Sequence, residues 1–237
     1  MILAAAVCPA APLLVRELTG KHPVVPDLRT ACLAAAAELG AAAPDVIAVV
    51  GVADHAATWN AGWALDTAVF APGAQRQASP WPPAGRKPAP ELPPSLGIGG
   101  WLLDQAGCDA GRILRSVASD ESPQSCADIG AVLAAARERV ALLVMADGSA
   151  SRTRKAPGYL DERSTGFDAS VEDAIRSGHL DTLLSIDAAL ARELMATGRA
   201  AWQVLAGALR GRKVTSDVLY SDDPFGVAYT VASIRVR

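Results

Sequence analysis

The chain has 237 residues, of which 51% are hydrophobic, and a formal net charge of −3. This length suits one large α/β domain or at most two small ones. The absence of a basic stripe argues against nucleic acid as a partner. No apolar run approaches the roughly 20 residues that span a bilayer. We therefore expect neither a nucleic-acid-binding protein nor a membrane protein.

The start of the chain and its cysteines bear on location. Residues 1–7 are apolar, lack a charged region before them and run straight into Cys8 and Pro9, which argues against a signal peptide. The four cysteines are widely spaced and form no CxxC motif. We expect free thiols in a reducing cytoplasm, with no disulfide frame or zinc site. The cysteines are Cys8, Cys32, Cys108 and Cys126.

The first fifty residues predict a strand, a helix and a second strand. An apolar strand covers Ile2–Val7, and a proline-containing loop follows over residues 8–26. Helical spacing comes next, with Asp27 as the predicted N-cap and Gly40 just past the end. A second apolar run between Pro44 and Gly51 is typical of a strand that is covered on both faces. The helical positions are Leu28, Cys32, Ala35 and Leu39. This order predicts a parallel pair with a right-handed crossover.

Residues 71–95 interrupt the pattern with eight prolines, together with glycine, serine and three basic residues. We predict a long irregular surface loop, and two interpretations stay open: a mobile insertion, or a lid or partner-binding flap. Four tryptophans in or near it indicate that part of the segment is held down. They are Trp59, Trp63, Trp81 and Trp101.

The second half predicts alternating helices and strands before a mainly helical stretch. The predicted helices cover about 96–106 and 127–139, the latter with Ile129, Val132, Leu133 and Ala136 inward; the predicted strands cover 113–118 and 140–146. Later apolar positions give further helical faces, namely Phe167, Val171 and Ile175; Leu183, Leu184, Leu190 and Leu194; and Trp202, Leu205 and Leu209. Two closing strands near 214–220 and 227–236 alternate like a half-buried antiparallel hairpin. We therefore predict a single α/β domain with a mostly parallel central sheet, helices on both faces and an antiparallel C-terminal hairpin.

Strand ends locate a candidate site. Ligands of open α/β sheets sit beyond the carboxyl ends of the parallel strands. Three predicted strands end at Cys8, at Asp54 and His55, and at Asp147, Gly148 and Ser149. If these strands are neighbours, their terminal residues share one mouth, where Cys8 and His55 should meet. Gly148 and Ser149 are expected to make a tight strand-to-helix turn.

The stretch Val7-Cys8-Pro9-Ala10-Ala11-Pro12-Leu13-Leu14-Val15 resembles the N-terminal signature of the LigB-like superfamily. That superfamily holds the catalytic subunits of class III extradiol ring-cleavage dioxygenases and their Memo relatives. The resemblance implies a strand that runs into a His-Pro-Pro-Leu-Leu type loop whose histidine binds a catalytic iron. Here Ala10 stands at the histidine position.

Two later segments extend the resemblance. Asp147–Arg152, with the following Pro157–Asp161 and Gly166–Asp168, is similar to the family segment that carries the acid/base histidine; here Ser151 or Arg152 stands there. Gly198–Trp202 resembles the stretch with the carboxylate iron ligand, where Ala200 and Ala201 cannot bind metal. His55 lies in the neighbourhood of the second histidine ligand. The resemblance thus implies a family member that lacks most of the iron and acid/base residues.

A non-haem iron site needs two histidines and a carboxylate on one face. The chain has three histidines, and His22 and His179 are expected at the surface. His55 with Asp54 supplies at most half a site, so iron or zinc would require His22 to fold across from the first loop. Without that, we expect no cofactor.

Other chemistry has weaker support in the sequence. Cys8, His55 and Asp54 could form a nucleophile, base and orienting group, although Cys8 also suits a buried core position. The absence of GxSxG, GxGxxG and P-loop motifs argues against hydrolase, dinucleotide and P-loop sites. If Arg152 and Arg199 point into the former metal pocket, they could hold a carboxylate or phosphate; otherwise they are surface charges.

These observations favour a degenerate, non-dioxygenase LigB-like protein that binds a small anionic or aromatic ligand, or that acts in interactions. The ligand-binding candidates are Cys8, His55, Ser149, Arg152 and Arg199. The alternative is a metal-dependent dioxygenase or hydrolase with an atypical site around His55, with Fe(II) or Zn. A homo-oligomer that uses the 71–95 segment as a contact is a third hypothesis.

Overall fold

The computed structural model describes residues 1–20, 24–59, 62–70, 87–89, 91–136 and 138–237. The strands are β1 Ile2–Cys8, β2 Val46–Ala53, β3 Ala57–Trp59, β4 Trp63–Leu65, β5 Lys87–Ala89, β6 Gly111–Ala118, β7 Val140–Met145, β8 Val214–Asp222 and β9 Tyr229–Val236. The helices are α1 Arg16–Thr19, α2 Pro26–Ala41, α3 Pro94–Gln105, α4 Pro123–Ala134, α5 Arg163–Ser177, α6 Ala188–Glu193 and α7 Arg199–Leu209.

Seven strands form one mixed sheet in the order β3-β6-β2-β7-β1-β9-β8. The four central strands β6, β2, β7 and β1 are parallel, and β9 joins β1 in the antiparallel sense. β8 and β9 pair antiparallel. The predicted single α/β domain, with its mostly parallel sheet and antiparallel C-terminal strands, is confirmed.

Each face of the sheet is covered because successive residues of a strand point to opposite sides. On one face, α2 and α3 pack on Cys8, Val49 and Met145. On the other face, α4, α5 and α7 pack on Val50 and Val144. Strands covered on both sides need the continuous apolar runs that the sequence shows. The helical faces predicted around Phe167, Leu183 and Trp202 are buried here as expected.

Some predicted boundaries are wrong for local reasons. Asp27 is not the cap of α2: the helix starts at Pro26, whose fixed φ suits the first helical position, so Asp27 falls in the first turn. The helix runs through Gly40 to Ala41. Gly148 and Ser149 do not lead directly into a helix, because α5 begins only at Arg163.

The helix predicted over 127–139 is α4, which starts and ends earlier. Ser122 caps it by accepting from Ser125 N at 3.1 Å. Its inward face consists of Cys126, Ala127 and Gly130, whereas Val132, predicted to be inward, is 72% exposed. The close approach of α7 at Gly130 sets this orientation, and hydrophobic spacing alone does not reveal it.

The segment 71–95 is less irregular than predicted where it is described. Residues 87–89 form β5, which pairs in parallel with β4, and α3 begins at Pro94. Trp101 is buried and donates to Glu17 Oε2 at 3.2 Å, while Trp63 is exposed. Residues 71–86 and 90, which include Trp81, lie outside the described residues, so the lid hypothesis stays a prediction.

Candidate functional site

The carboxyl ends of β1, β7 and β2 lie side by side, as the strand-end argument predicts. Cys8 is in register with Met145, and Met145 is in register with Gly51. After β1 the chain passes to the α2 face, and after β7 it passes to the α5 face. We therefore expect a crevice between these two ends, where α/β sheets bind ligands. The chain also diverges to opposite faces after β2 and β7. The side chains at each pair of strand ends therefore indicate which of the two places is the better candidate for a binding site.

Asp147 is the polar side chain at the β1/β7 crevice. Its Oδ1 accepts a hydrogen bond from Ala10 N at 2.9 Å, which joins the two strand exits. Its Oδ2 has no hydrogen-bond partner among the described residues, and the residue is partly exposed. Burial raises the pKa of the carboxyl to about 6, against the lowering effect of the Ala10 amide. Perturbed carboxyls of this kind are concentrated at functional sites.

Tyr229 stands beside this carboxyl on β9. The preceding residue, Ala228, accepts from Gly148 N at 2.9 Å and donates to Ser149 O at 2.8 Å, which holds the start of β9 against the exit of β7. Tyr229 is only 7% exposed, and its hydroxyl makes no hydrogen bond to a described residue. Burial, and then the carboxylate of Asp147, raise the pKa of this hydroxyl. The crevice thus holds two unpartnered polar groups.

The structure does not bring Cys8 and His55 together. β7 lies between their strands, which separates β1 from β2 by about 10 Å. Cys8 is fully buried and hydrogen-bonds the thiol of Cys32, whereas Asp54 and His55 are exposed. Burial and then the contact with Cys8 raise the pKa of Cys32. Cys8, His55 and Asp54 are therefore too far apart to act together as nucleophile, base and orienting group. Cys8 is a core residue.

The described side chains near Ala10 and Asp147 do not supply the ligand set for the iron that the LigB-like resemblance implies. Among the described residues, no group of three or more His, Cys, Asp or Glu side chains could hold a metal ion. The segments of the resemblance do converge, since Ala10 N binds the Asp147 side chain and Gly198 N donates to Asp147 O at 2.8 Å. However, Ala10, Ala200 and Ala201 offer no ligand atoms. His22 lies outside the described residues.

Ser149 and Arg152 belong to a second polar cluster on the other side of the β7 exit. Asp168 accepts from Ser149 N at 2.9 Å and from Ser149 Oγ at 2.5 Å. Arg152 Nε donates to Asp223 at 2.8 Å and lies 3.9 Å from Asp168. Burial raises the pKa of Asp168 despite these partners. One guanidinium faces two carboxylates here, so the cluster does not present a free positive charge to an anion, although Arg152 Nη1 has no partner among the described residues.

Arg199 does not join Arg152 in an anion pocket. It is 3% exposed at the start of α7 and shares no hydrogen-bond partner with Arg152. Its Nη1 donates to Glu121 O at 2.6 Å and to Gln203 Oε1 at 2.8 Å, and its Nη2 donates to Ser119 O at 2.6 Å. The guanidinium thus ties α7 to the loop that follows β6. Of the two interpretations that the sequence left open, the shared anion pocket is not formed, and Arg199 is not a surface charge either.

We expect Arg199→Lys to lower the free energy of unfolding by about 2 kcal/mol. Lysine keeps the charge but cannot reach three acceptors in the fork geometry of arginine, which leaves buried carbonyls unsatisfied. Urea denaturation measures this loss. Arg210→Lys is the control, because Arg210 is exposed at the C-terminal end of the same helix. It should change the free energy of unfolding little. Equal stability of the two variants would contradict the anchoring role.

Sequence reasoning missed the side chains that carry the site. Asp147 and Asp168 both lie in the segments that resemble the LigB-like family, but the sequence does not predict either of them as a site residue. Asp147 had a usable signal, because it directly follows the most apolar strand of the chain. Tyr229 had none, because only the pairing of β9 with β1 brings it to the crevice.

Comparisons with known proteins establish the fold alone. No protein-family model matches the chain, and no curated protein matches it. The crystal structure of an uncharacterized protein, JW3007, from Escherichia coli K12 is similar, with a TM-score of 0.55 and 15% sequence identity. The match covers 98% of this chain and 99% of that chain. In the described part of the chain, no helix is long and apolar enough to cross a membrane. The chain thus shares a whole-length α/β fold with that protein.

Proposed function

We propose that this protein is a LigB-like protein without extradiol dioxygenase chemistry that binds a small molecule in the crevice between β1 and β7. One observation carries the proposal. At the position where the family resemblance implies an iron-binding histidine, Ala10 offers only its backbone amide, which donates to Asp147 at 2.9 Å. Asp147 Oδ2 and the Tyr229 hydroxyl lie at the same strand ends and have no hydrogen-bond partner among the described residues.

The packing supports a ligand with an apolar body. Tyr229 belongs to the core on the α2 face, and Ala10 and Tyr220 pack against that core. Sites of small molecules commonly combine such apolar walls with a few convergent polar groups. The carboxyl and the phenol would supply orientation, and the walls would supply most of the contact area.

Filling the crevice tests the binding proposal. Ala10→Phe keeps the backbone amide that Asp147 accepts from but adds a ring at the mouth, where Ala10 is partly exposed. We expect thermal-shift responses to a small-molecule panel of aromatic amines, acids and alcohols in the wild type, and their loss in Ala10→Phe. Ala135→Phe, at the opposite end of the sheet, is the matched control. Responses that survive in Ala10→Phe would contradict the proposed location.

The alternative is a metal-dependent oxidoreductase or hydrolase with an atypical site around His55. Protein purified anaerobically with excess iron should contain far less than one iron or zinc per chain under our proposal. Near-stoichiometric metal that disappears in His55→Ala would overturn the proposal in favour of this alternative. A role of residues 71–95 in self-association stays a separate prediction, which light scattering of a chain lacking residues 74–92 tests.

A further inference from the structure

We propose that the β1/β7 crevice selects a ligand with an ammonium or other cationic donor group, which binds Asp147 Oδ2 while the ligand's apolar body lies against Tyr220 and Tyr229. This inference rests on the proposed function and replaces the anionic ligand that the sequence suggests. The distribution of charged groups around the mouth indicates that the ligand is cationic.

Asp147 provides a hydrogen-bond acceptor for the ligand. Ala10 N donates to Asp147 Oδ1, so the amide orients the carboxyl and leaves Oδ2 without a partner among the described residues. A carboxylate oxygen accepts hydrogen bonds, and a charge-assisted bond to an ammonium is about twice as strong as a neutral one. Tyr229 is 7% exposed, and its hydroxyl, which makes no hydrogen bond to a described residue, adds a second polar atom near this carboxyl.

The charges around the crevice favour a cation. Among the described residues, the carboxylates of Asp27 and Asp222 act on Tyr220, and no cation acts on Asp147, Tyr220 or Tyr229. The raised pKa values of the Cys32 thiol and of the two tyrosine hydroxyls keep these groups neutral. On the far side of the β7 exit, Asp168 lies against Gly148, where a Cβ would be 2.8 Å from its Oδ1. The described charged side chains nearest Asp147 are therefore carboxylates.

The two arginines that would otherwise attract an anion are bound elsewhere. Arg199 donates to the carbonyls of Ser119 and Glu121. Arg152 is held by Asp223 and lies near Asp168, so an anion that approached its free Nη1 would also meet two carboxylates. An anionic ligand would thus gain one donor and meet like charges, whereas a cation would gain the Asp147 carboxylate as an acceptor.

Three probes of similar shape separate these possibilities: benzylamine, benzyl alcohol and benzoate, measured by isothermal titration at pH 7.5. We expect benzylamine to bind most tightly and benzoate most weakly. Asp147→Asn should weaken benzylamine at least tenfold and change benzyl alcohol little. Tyr229→Phe, which keeps the ring, should weaken benzylamine less than Asp147→Asn. Asp128→Asn, at an exposed position on α4, is the charge-matched control and should leave all three affinities unchanged.

The pH dependence gives an independent readout on the folded wild type. Because the carboxyl has a pKa of about 6, it is mostly ionised at pH 7.5 and mostly protonated at pH 5.0. Protonation removes the charge that holds the ammonium, so the benzylamine affinity should fall about tenfold between these values. Benzyl alcohol should show little change over the same range. Asp147→Asn should abolish the pH dependence of benzylamine.

The outcomes distinguish failure of the inference from failure of the proposed function. Benzoate binding at least as tight as benzylamine, and abolished by Ala10→Phe, would overturn the cationic ligand and keep the crevice as a binding site. Benzylamine binding that Asp147→Asn leaves unchanged would also overturn the inference. Failure of all three probes to bind, or binding that survives Ala10→Phe, would overturn both.

Discussion

Alanine at position 207 is expected to destabilise this protein by at least about 3 kcal/mol, because two helix backbones touch there. A Cβ on Gly207 of α7 would lie 2.5 Å from the Cα of Ala127 on α4. A Cβ on Gly130 of α4 would lie 2.5 Å from Ala208 N in return. Backbone cannot rotate away as a side chain can, so the helices must separate and open the core on this face. Thermal unfolding should show a loss of roughly 10 °C.

Gly166→Ala is the matched control for this prediction. Gly166 also lies within a helix, α5, but a Cβ there would meet nothing within 4 Å. Alanine exceeds glycine in helix propensity by about 1 kcal/mol, so this variant should be slightly more stable than the wild type. Opposite signs for the two substitutions would show that close packing decides the result at Gly207. A neutral or stabilising Gly207→Ala would contradict the contact between α4 and α7.

The second large effect concerns the pH dependence of stability. Burial raises the pKa of Asp147 to about 6 from the model-compound value of 3.8, so the folded chain binds this proton more tightly than the unfolded chain does. Its contribution to stability is therefore fully present below about pH 4 and is lost as the pH rises through 6. At pH 7.5 the ionised carboxyl costs up to about 3 kcal/mol relative to the protonated one.

Asp147→Asn should remove that cost. Asparagine keeps an oxygen that can accept from Ala10 N, and its amide nitrogen would take the position of Oδ2, which has no partner among the described residues. We expect the variant to be more stable than the wild type at pH 7.5, by up to about 3 kcal/mol, and similar to it at pH 4. Urea denaturation at several pH values between 4 and 8 measures how the free energy of unfolding depends on pH in the wild type and in the variant. Asp128→Asn should leave the slope unchanged, and a wild-type slope that persists in Asp147→Asn would contradict the assignment.

A residue that destabilises the fold at neutral pH fits a functional position better than a structural one. The carboxylate of Asp147 lies in a partly closed crevice without a cation among its described neighbours. A bound cationic group would offset part of that cost. The same property therefore links the stability experiment to the ligand proposed for the crevice, since benzylamine should raise the unfolding temperature more at pH 7.5 than at pH 5.

Most of the central sheet could be predicted from the sequence because strands buried on both faces must be apolar throughout. β1, β2 and β7 all lie within two residues of their predicted ends. The end of α2 and the position of α4 were predicted less well, since Gly40 lies inside its helix and Val132 is exposed. These errors share a cause: helix limits and orientation depend on contacts with other elements, such as the approach of α7 to Gly130.

The sequence by itself determined the fold class, the parallel strands and the mouth of the sheet, because hydrophobic periodicity and strand ends are local properties of the chain. It also determined that Ala10 cannot hold a metal. Only the tertiary structure decided which polar groups meet at that mouth, because hydrogen bonds between distant segments leave no local pattern. It placed Asp147 against Ala10, brought Tyr229 in on an antiparallel strand, and separated Arg199 from Arg152.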